Sequence, residues 1–441
     1  MQDASEITAR YTYGTWRFQK GWKPLHVTKA EGCWFWDASG RKYLDLSAQL
    51  MCVNLGHQNQ AVVEAICRQA RELAFISPGY TCDVRVELVG RLLEVLPKGL
   101  EKFFFTTSGT EANEAAIKIA RLYTGKTKIL ARYTSYHGST AGSIAATGDF
   151  RRWYAEPSSK IPGVIFGPEV NCYRCPLGRT HPECDVACAD YMGYMIDHDE
   201  DVAAVMVEPV VGTNGVLVPP KEYLPRLAEI CKRRGVLLIA DEVMSGWGRT
   251  GQWFAVDNWG VVPDMLVTAK GITSAASPLG LLATSRAIAD HFDDHYFAHG
   301  HTYEAHPLTL APAVAAIDEY KRLGLIERAR TMGEVFGAKL RGLMERHPSI
   351  GEVRGLGLFW ALDLVKSRAT REPFNVPQDK VARKPLVVDA VTTELMKQGV
   401  AAVGWISHLV LAPPLIITEE EMDEAVRALD AALLVADAQV A

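Results

Sequence analysis

Short apolar runs alternate along this chain with amphipathic stretches of about 10 to 15 residues, the pattern of βαβ units around a mostly parallel sheet. Continuous apolar runs predict buried strands at residues 102–106, 128–133, 203–207, 236–240, 265–268 and 279–284. Between them, 111–122 opens as a helix directly after Ser108-Gly109-Thr110. A second helix, 221–234, carries apolar residues at helical spacing up to Gly235, a C-terminal stop. The ends read differently. Residues 27–47 predict a hairpin turning at Asp37-Ala38-Ser39-Gly40, while 353–364 and a helix over 418–435 predict a separate α+β module. The polar, proline-containing stretch 370–384 predicts a surface loop. The expected fold class is α/β: a large domain over 61–325 with a mostly parallel sheet flanked by helices, plus a smaller α+β domain from both chain ends, 1–60 and 326–441.

Composition narrows the class. With 441 residues, 48% of them hydrophobic and 22% charged, the chain has the make-up of a globular enzyme with a large core. A formal net charge of -5 without any Lys/Arg run argues against nucleic acid or a membrane surface as partner, although single arginines still suit acidic substrates. No apolar stretch approaches the roughly 18 residues that span a bilayer, and residues 1–10 lack the apolar centre of a signal peptide, so the expected location is cytoplasmic. Nine cysteines are too few for a disulfide scaffold; Cys33, Cys52, Cys67, Cys82 and Cys231, scattered singly, read as small buried hydrophobes.

Residues 238–280 carry the most chemistry. Asp241 follows one buried apolar run and Lys270 the next, so both project from the carboxyl edge of a parallel sheet, where α/β ligand sites form. That juxtaposition suits pyridoxal phosphate: a desolvated lysine amine is free to bond its aldehyde, and a carboxylate keeps its ring nitrogen protonated. Taken singly, the two residues read as a helix cap and a solvated lysine. They are joined by Phe103-Phe104-Phe105-Thr106-Thr107-Ser108-Gly109-Thr110-Glu111, a strand running into a turn that opens a helix, whose backbone N–H groups and dipole bind phosphate. A plain cap explains Ser108 or Thr110 equally well. Tyr136, in Tyr136-His137-Gly138 after the strand at 128–133, brings an aromatic ring to the same sheet edge.

The set Asp241-Glu242-Val243, Gly248-Arg249-Thr250-Gly251, Pro263-Asp264, Lys270-Gly271 and Pro278-Leu279-Gly280 resembles the signature of class III (ω-type) aminotransferases, fold type I pyridoxal phosphate enzymes. The resemblance runs through nearly the whole chain, from Ala30-Glu31-Gly32 through Val207-Glu208-Pro209 and Thr302-Tyr303 to Ala412-Pro413-Pro414-Leu415. It implies Lys270 as the Schiff-base lysine, Asp241 as partner of the pyridine nitrogen, and Val243 and Tyr136 on the two ring faces. It further implies Ser108, Gly109 and Thr110 as the phosphate cup, with His137 beside the cofactor. Glu208 is implied as an active-site glutamate able to pair with a substrate-binding arginine. Thr302 is implied to reach the phosphate from the other subunit of a homodimer, itself possibly half of a tetramer. The activity implied is ping-pong transfer of an amino group from an amine donor to a keto-acid acceptor. Decarboxylation, racemisation, mutase and phospholyase chemistry remain open on the same fold.

The chain departs from the family pattern in two places. Glu304-Ala305-His306-Pro307 stands where Ser-Gly-His-Pro is common, and Glu304 is expected to face away from the phosphate or to pair with a base. The stretch 402–413 has no arginine, where many relatives carry one that holds a substrate carboxylate. Arg17 is the expected substitute, with Trp16, Tyr80 and Trp405 as further substrate-pocket residues. The favoured donors are then ω-amino acids, taurine-like sulfonates or simple amines, with pyruvate as acceptor. Cys172, Cys175, Cys184 and Cys188 form a C-x2-C-x8-C-x3-C cluster with His181 inside it. Zinc, reduced thiols and a disulfide all remain readings, as does a non-enzymatic, metal-organised interaction protein, and no metal ligand is assigned. His295, His299, His301 and His306 read as a polar loop at a subunit interface. Arg354-Gly355-Leu356-Gly357 reads as close backbone packing, and Trp16, Trp22, Trp34 and Trp36 mostly as core or interface residues.

Overall fold

The computed structural model describes residues 3–159 and 161–440. Its centre is a seven-stranded sheet in the order Leu100–Thr106, Gly280–Ser285, Met265–Thr268, Leu237–Asp241, Val202–Val207, Lys128–Arg132, Val164–Gly167. The last five run parallel to one another, while Gly280–Ser285 runs antiparallel to both of its neighbours. The sheet is thus mostly parallel, as the pattern predicts. All six residues of Val202–Val207 are buried, which is why that run shows no alternation: helices cover both sheet faces. The helix Gly109–Thr124 lays Ala112, Ala115, Ala116, Ile119 and Ala120 against the sheet, small side chains that allow close approach. Helix Tyr223–Arg234 ends at Gly235 in the left-handed conformation.

Both chain ends meet in one place. Val27–Glu31, Trp34–Asp37 and Lys42–Asp45 form an antiparallel meander, and Val400–Ala401 adds to it, parallel to Lys42–Asp45. The expected single hairpin is therefore three strands: the turn at 37–41 is present, and Gly32, at φ 58°, makes an earlier one inside an unbroken β-like run. Ile350–Leu356 and Phe359–Ser367 pair as a hairpin in a second small sheet with His408–Leu411 and Val403–Trp405. Helix Glu419–Asp437 starts at a capping box between Thr418 and Glu421. Gly357, at φ 58°, lies where a Cβ would sit 2.5 Å from the Thr250 carbonyl carbon, the close packing expected of that motif.

One expectation needs correction. The stretch 370–384 is more than a surface loop: Glu372–Pro373 pairs with Phe359–Ser367, Phe374 is buried, and Pro377–Val381 is helical. Trp22, Trp34 and Trp36 are half-buried and Trp16 is exposed, whereas the tryptophan fully inside the core is Trp247, donating to Thr268 Oγ1. Cys33 and Cys231 are buried as expected, Cys52, Cys67 and Cys82 are half-buried, and all nine cysteines are free thiols. Among the described residues no helix is long and apolar enough to cross a membrane.

Candidate active site

Asp241 is the last residue of the strand Leu237–Asp241, and Lys270 follows the neighbouring parallel strand Met265–Thr268 by two positions, so adjacent carboxyl ends carry both. Asp241 is buried and fixed from three sides. Its Oδ2 accepts from Asn113 Nδ2 at 2.8 Å and lies 2.7 Å from His137 Nδ1, and its Oδ1 accepts from Val243 N at 3.0 Å. Asn113 Nδ2 also donates to the His137 carbonyl at 2.7 Å, tying the two supports together. Lys270 opens a single 3-10 turn at φ 50°, a left-handed conformation that is unfavourable for a side-chain-bearing residue. Burial holds its amine below the ordinary lysine range, against the pull of Cys52, Asp241 and Glu208.

The N-terminus of the helix Gly109–Thr124 faces this pair. A Cβ on Gly109 would stand 2.9 Å from Val243 Cγ2 and 3.4 Å from Ala269 Cβ, which brings the helix start against both strand ends. Ser108 caps the helix, its Oγ accepting from Glu111 N. The Thr110 hydroxyl is taken up internally: it accepts from Ser139 N and Thr140 N and lies within hydrogen-bond reach of Thr140 Oγ1 and Ser143 Oγ. The Ser108 and Thr110 side chains therefore shape the turn, and the backbone N–H groups of Gly109 and Thr110 stand in the first turn of the helix, where a phosphate would find donors. These features fit pyridoxal phosphate: a carboxylate already aligned by two donors, an amine biased to its neutral form and an anion-binding helix end share one sheet edge.

Tyr136 donates its backbone N–H to Glu208 Oε1 at 2.9 Å, and Gly212 N donates to Glu208 Oε2 at 2.8 Å. Glu208 is buried, and burial raises its pKa. Its carboxyl anchors the Tyr136 backbone through these two bonds. An arginine does enter the site from elsewhere. Arg151, buried on the helix Phe150–Ser159, lies with its guanidinium carbon 3.6 Å from the centre of the Tyr136 ring and 4.6 Å from that of Trp405. Its Nε and Nη2 bind the Asp149 carboxylate. Asp149 also accepts from Asn214 Nδ2 at 3.0 Å, and Trp405 Nε1 donates to Asn214 Oδ1 at 3.0 Å. Sequence reasoning missed Arg151 and its supports, because the aromatic box around it is assembled from positions 16, 136 and 405.

The remaining candidates divide. Trp16 packs edge-on to Tyr136 at 6.1 Å, and the Trp405 ring lies tilted against Phe150 at 5.3 Å, so both belong to this pocket. Arg17 stands farther out: it bonds the Thr15 carbonyl, lies over Trp22, and lines a cavity of about 330 Å³ with Trp16, Phe18, Phe150, Tyr154 and Lys380. Tyr80 is exposed near Arg85, and among the described residues no ring contact joins it to Trp16, Tyr136 or Trp405. Thr302 is exposed beside Glu304, which pairs with Arg85 at 3.1 Å, the basic partner expected for it. His299 and His301 pack on Phe104 in the same region. Among the described residues no group of three or more His, Cys, Asp or Glu side chains stands arranged to hold a metal ion.

A family model described as Aminotransferase class-III matches residues 18–433. The leucine/methionine racemase of Thermococcus litoralis is 33% identical over 93% of this chain and 90% of its own length. The putrescine–pyruvate aminotransferase of Pseudomonas aeruginosa is 33% identical over 90% of this chain and 88% of its own. A solved taurine:2-oxoglutarate aminotransferase from Bifidobacterium kashiwanohense, in complex with PLP and glutamate, superposes with a TM-score of 0.93 at 36% identity, covering 99% of this chain and 98% of that one.

Proposed function

The chain belongs to the class-III aminotransferases, pyridoxal phosphate enzymes of fold type I, and from that premise we propose that Lys270, Asp241 and Arg151 transfer amino groups from ω-amino acids, taurine-like sulfonates or simple amines to a keto acid, pyruvate first. The observation that carries the reading is Lys270 and Asp241 on adjacent parallel strand ends beside the N-terminus of Gly109–Thr124.

Pyridoxal phosphate supplies an aldehyde that takes up an amine and a ring that accepts the electron pair left when the neighbouring carbon loses its proton. Backbone N–H groups of Gly109 and Thr110 would hold the phosphate, Val243 and Tyr136 would cover the ring faces, and Asp241, held by Asn113 and His137, would keep the ring nitrogen protonated. Lys270 Nζ, biased to the neutral amine by burial, would take the proton from the substrate carbon and return it on the cofactor side of the bridging nitrogen, two atoms along. Arg151 uses Nε and Nη2 on Asp149, which leaves Nη1 to receive the carboxylate of the keto acid. Trp16, Phe150 and Trp405 give the donor side an apolar wall, with Arg17 and Lys380 at the mouth for an anionic tail.

The enzyme works as a homodimer in the cytoplasm, Thr302 completing the partner's phosphate site; the exposure of Thr302 and the free state of all nine thiols support this. The test is an amine-donor panel run against pyruvate and 2-oxoglutarate with products read by mass spectrometry. New keto product with alanine from pyruvate bears the reading out. Racemised amino acid without keto product favours the chemistry of the Thermococcus litoralis relative instead. Lys270→Ala is expected to lose the borohydride-fixed cofactor and at least about 10²-fold in turnover, the usual share of a positioned acid–base group.

A further inference from the structure

Between the strand Val164–Gly167 and the helix Ala187–Asp197 the chain runs through 168–186 without a helix or strand. Irregular segments longer than about 15 residues need something to hold them in a compact fold. Here the backbone is turned back by Gly178 N donating to the Cys175 carbonyl and Cys184 N donating to the Thr180 carbonyl, at 3.0 and 2.8 Å. The turns bring Cys172, Cys175, Cys184 and Cys188 around one cavity, with Arg179 and His181 also on its wall. The cavity measures about 20 Å³, room for one water or one ion and too small for any organic ligand. His181 is directed at Glu222, 3.4 Å away, so the four sulfurs are the donor set. We propose that Cys172, Cys175, Cys184 and Cys188 bind one zinc ion as a tetrathiolate that staples this segment to the fold.

No three of these side chains yet stand at ligating separation; binding therefore turns the thiols inward over the cavity, and each releases its proton to solvent as its thiolate bonds the metal. Arg179 offsets part of the surplus negative charge. The staple has a definite load. Tyr173 and Arg174 lie between the first two cysteines, Arg371 donating to the Tyr173 carbonyl and Arg174 pairing with buried Asp363 at 2.7 Å. Asp363 in turn pairs with Arg354 at 2.8 Å, whose Nε donates to the Gly215 carbonyl, next to the Asn214 that steadies Asp149 and Trp405. The cysteine knuckle thus braces the far wall of the substrate pocket.

The test is elemental analysis of the wild-type holoenzyme, purified without a histidine tag or chelator from zinc-replete cells. Zinc at about one equivalent per chain is expected, with a thiolate-to-cobalt charge-transfer band when cobalt replaces it. Cys184→Ser/Cys188→Ser is expected to lower bound zinc about tenfold or more while the visible absorbance of the cofactor stays. Stripping zinc from the wild type is expected to open 168–186 to limited proteolysis. Wild-type holoenzyme with less than about a tenth of an equivalent and no cobalt band overturns the proposal, as do disulfides among these cysteines in non-reducing peptide mapping. The wild-type readouts hold even if the double variant does not fold, and none of them depends on the transaminase reaction.

Discussion

Arg151 concentrates the specificity question in one side chain. Arg151→Lys keeps a charge opposite Asp149 but loses the planar fork, and a charge-assisted bond of about 1.5–3 kcal/mol corresponds to a rise of roughly 10- to 100-fold in keto-acid KM. Steady-state kinetics with donor and acceptor varied separately check this, with cofactor retention unchanged. Glu242, next to Asp241, carries a different signal. Buried, it accepts from Val256 N at 2.8 Å and lies in contact with Ser245 Oγ, and burial pushes its carboxyl from 4.5 up to about 7. The folded protein therefore binds this proton more tightly than the unfolded chain. The contribution, about 3 kcal/mol, is full below the unfolded value and is lost as pH rises through about 7. Glu242→Gln mimics the protonated form, and thermal unfolding is expected to show it stabilised near pH 8 and unchanged near pH 5. Asp241 and Lys270 were legible in the sequence because each follows an apolar run that has one place to go. Arg151 was not, since its meaning comes from Trp16, Tyr136 and Trp405, three rings that only the fold brings together around it.

Among the elements, the helix Gly109–Thr124 opens against the strand ends that carry Asp241 and Lys270, and the turn that pins it is the sensitive point. Gly138 has φ 143° and lies where a Cβ would stand 2.2 Å from Thr110 Oγ1. Gly138→Ala must displace the helix start, and a strain of about 1–3 kcal/mol is expected to weaken cofactor binding roughly tenfold, read by equilibrium dialysis. Gly90 gives the contrast. It sits exposed in the helix Asp83–Val95 with nothing within 4 Å of an added Cβ, so Gly90→Ala is expected to stabilise by about 0.5–1 kcal/mol in chemical denaturation. Strand and helix positions were largely readable because the buried runs are long and apolar and because Gly235 and Thr418 punctuate them. The turn at Gly32 was hidden, since Val27–Asp37 keeps β-forming residues on both sides of it. The helix Pro377–Val381 was hidden by the polarity and prolines of its surroundings.

At the scale of the molecule, the exposed aromatics point to assembly. The N-terminal helix Ala4–Tyr11 buries none of its residues, and Tyr13 and Tyr296 are 93% and 89% exposed. Such surface is the kind an association interface covers. Sedimentation is expected to give a dimer, and Thr302→Ala to weaken cofactor retention by about fivefold, the worth of one hydrogen bond near 1 kcal/mol. An active monomer contradicts both. Only the family resemblance pointed to Thr302, because one chain by itself gives this exposed hydroxyl no role.

The reversed strand Gly280–Ser285 carries one more implication, for the order of events at the ribosome. It is the sheet neighbour of Leu100–Thr106, the strand that leads straight into the helix Gly109–Thr124. During synthesis that strand waits as an unpaired edge while residues 107–279 emerge. Until residues 280–285 emerge, Leu100–Thr106 has no neighbour in the sheet, and an unpaired strand edge is the kind of surface through which a folding chain aggregates.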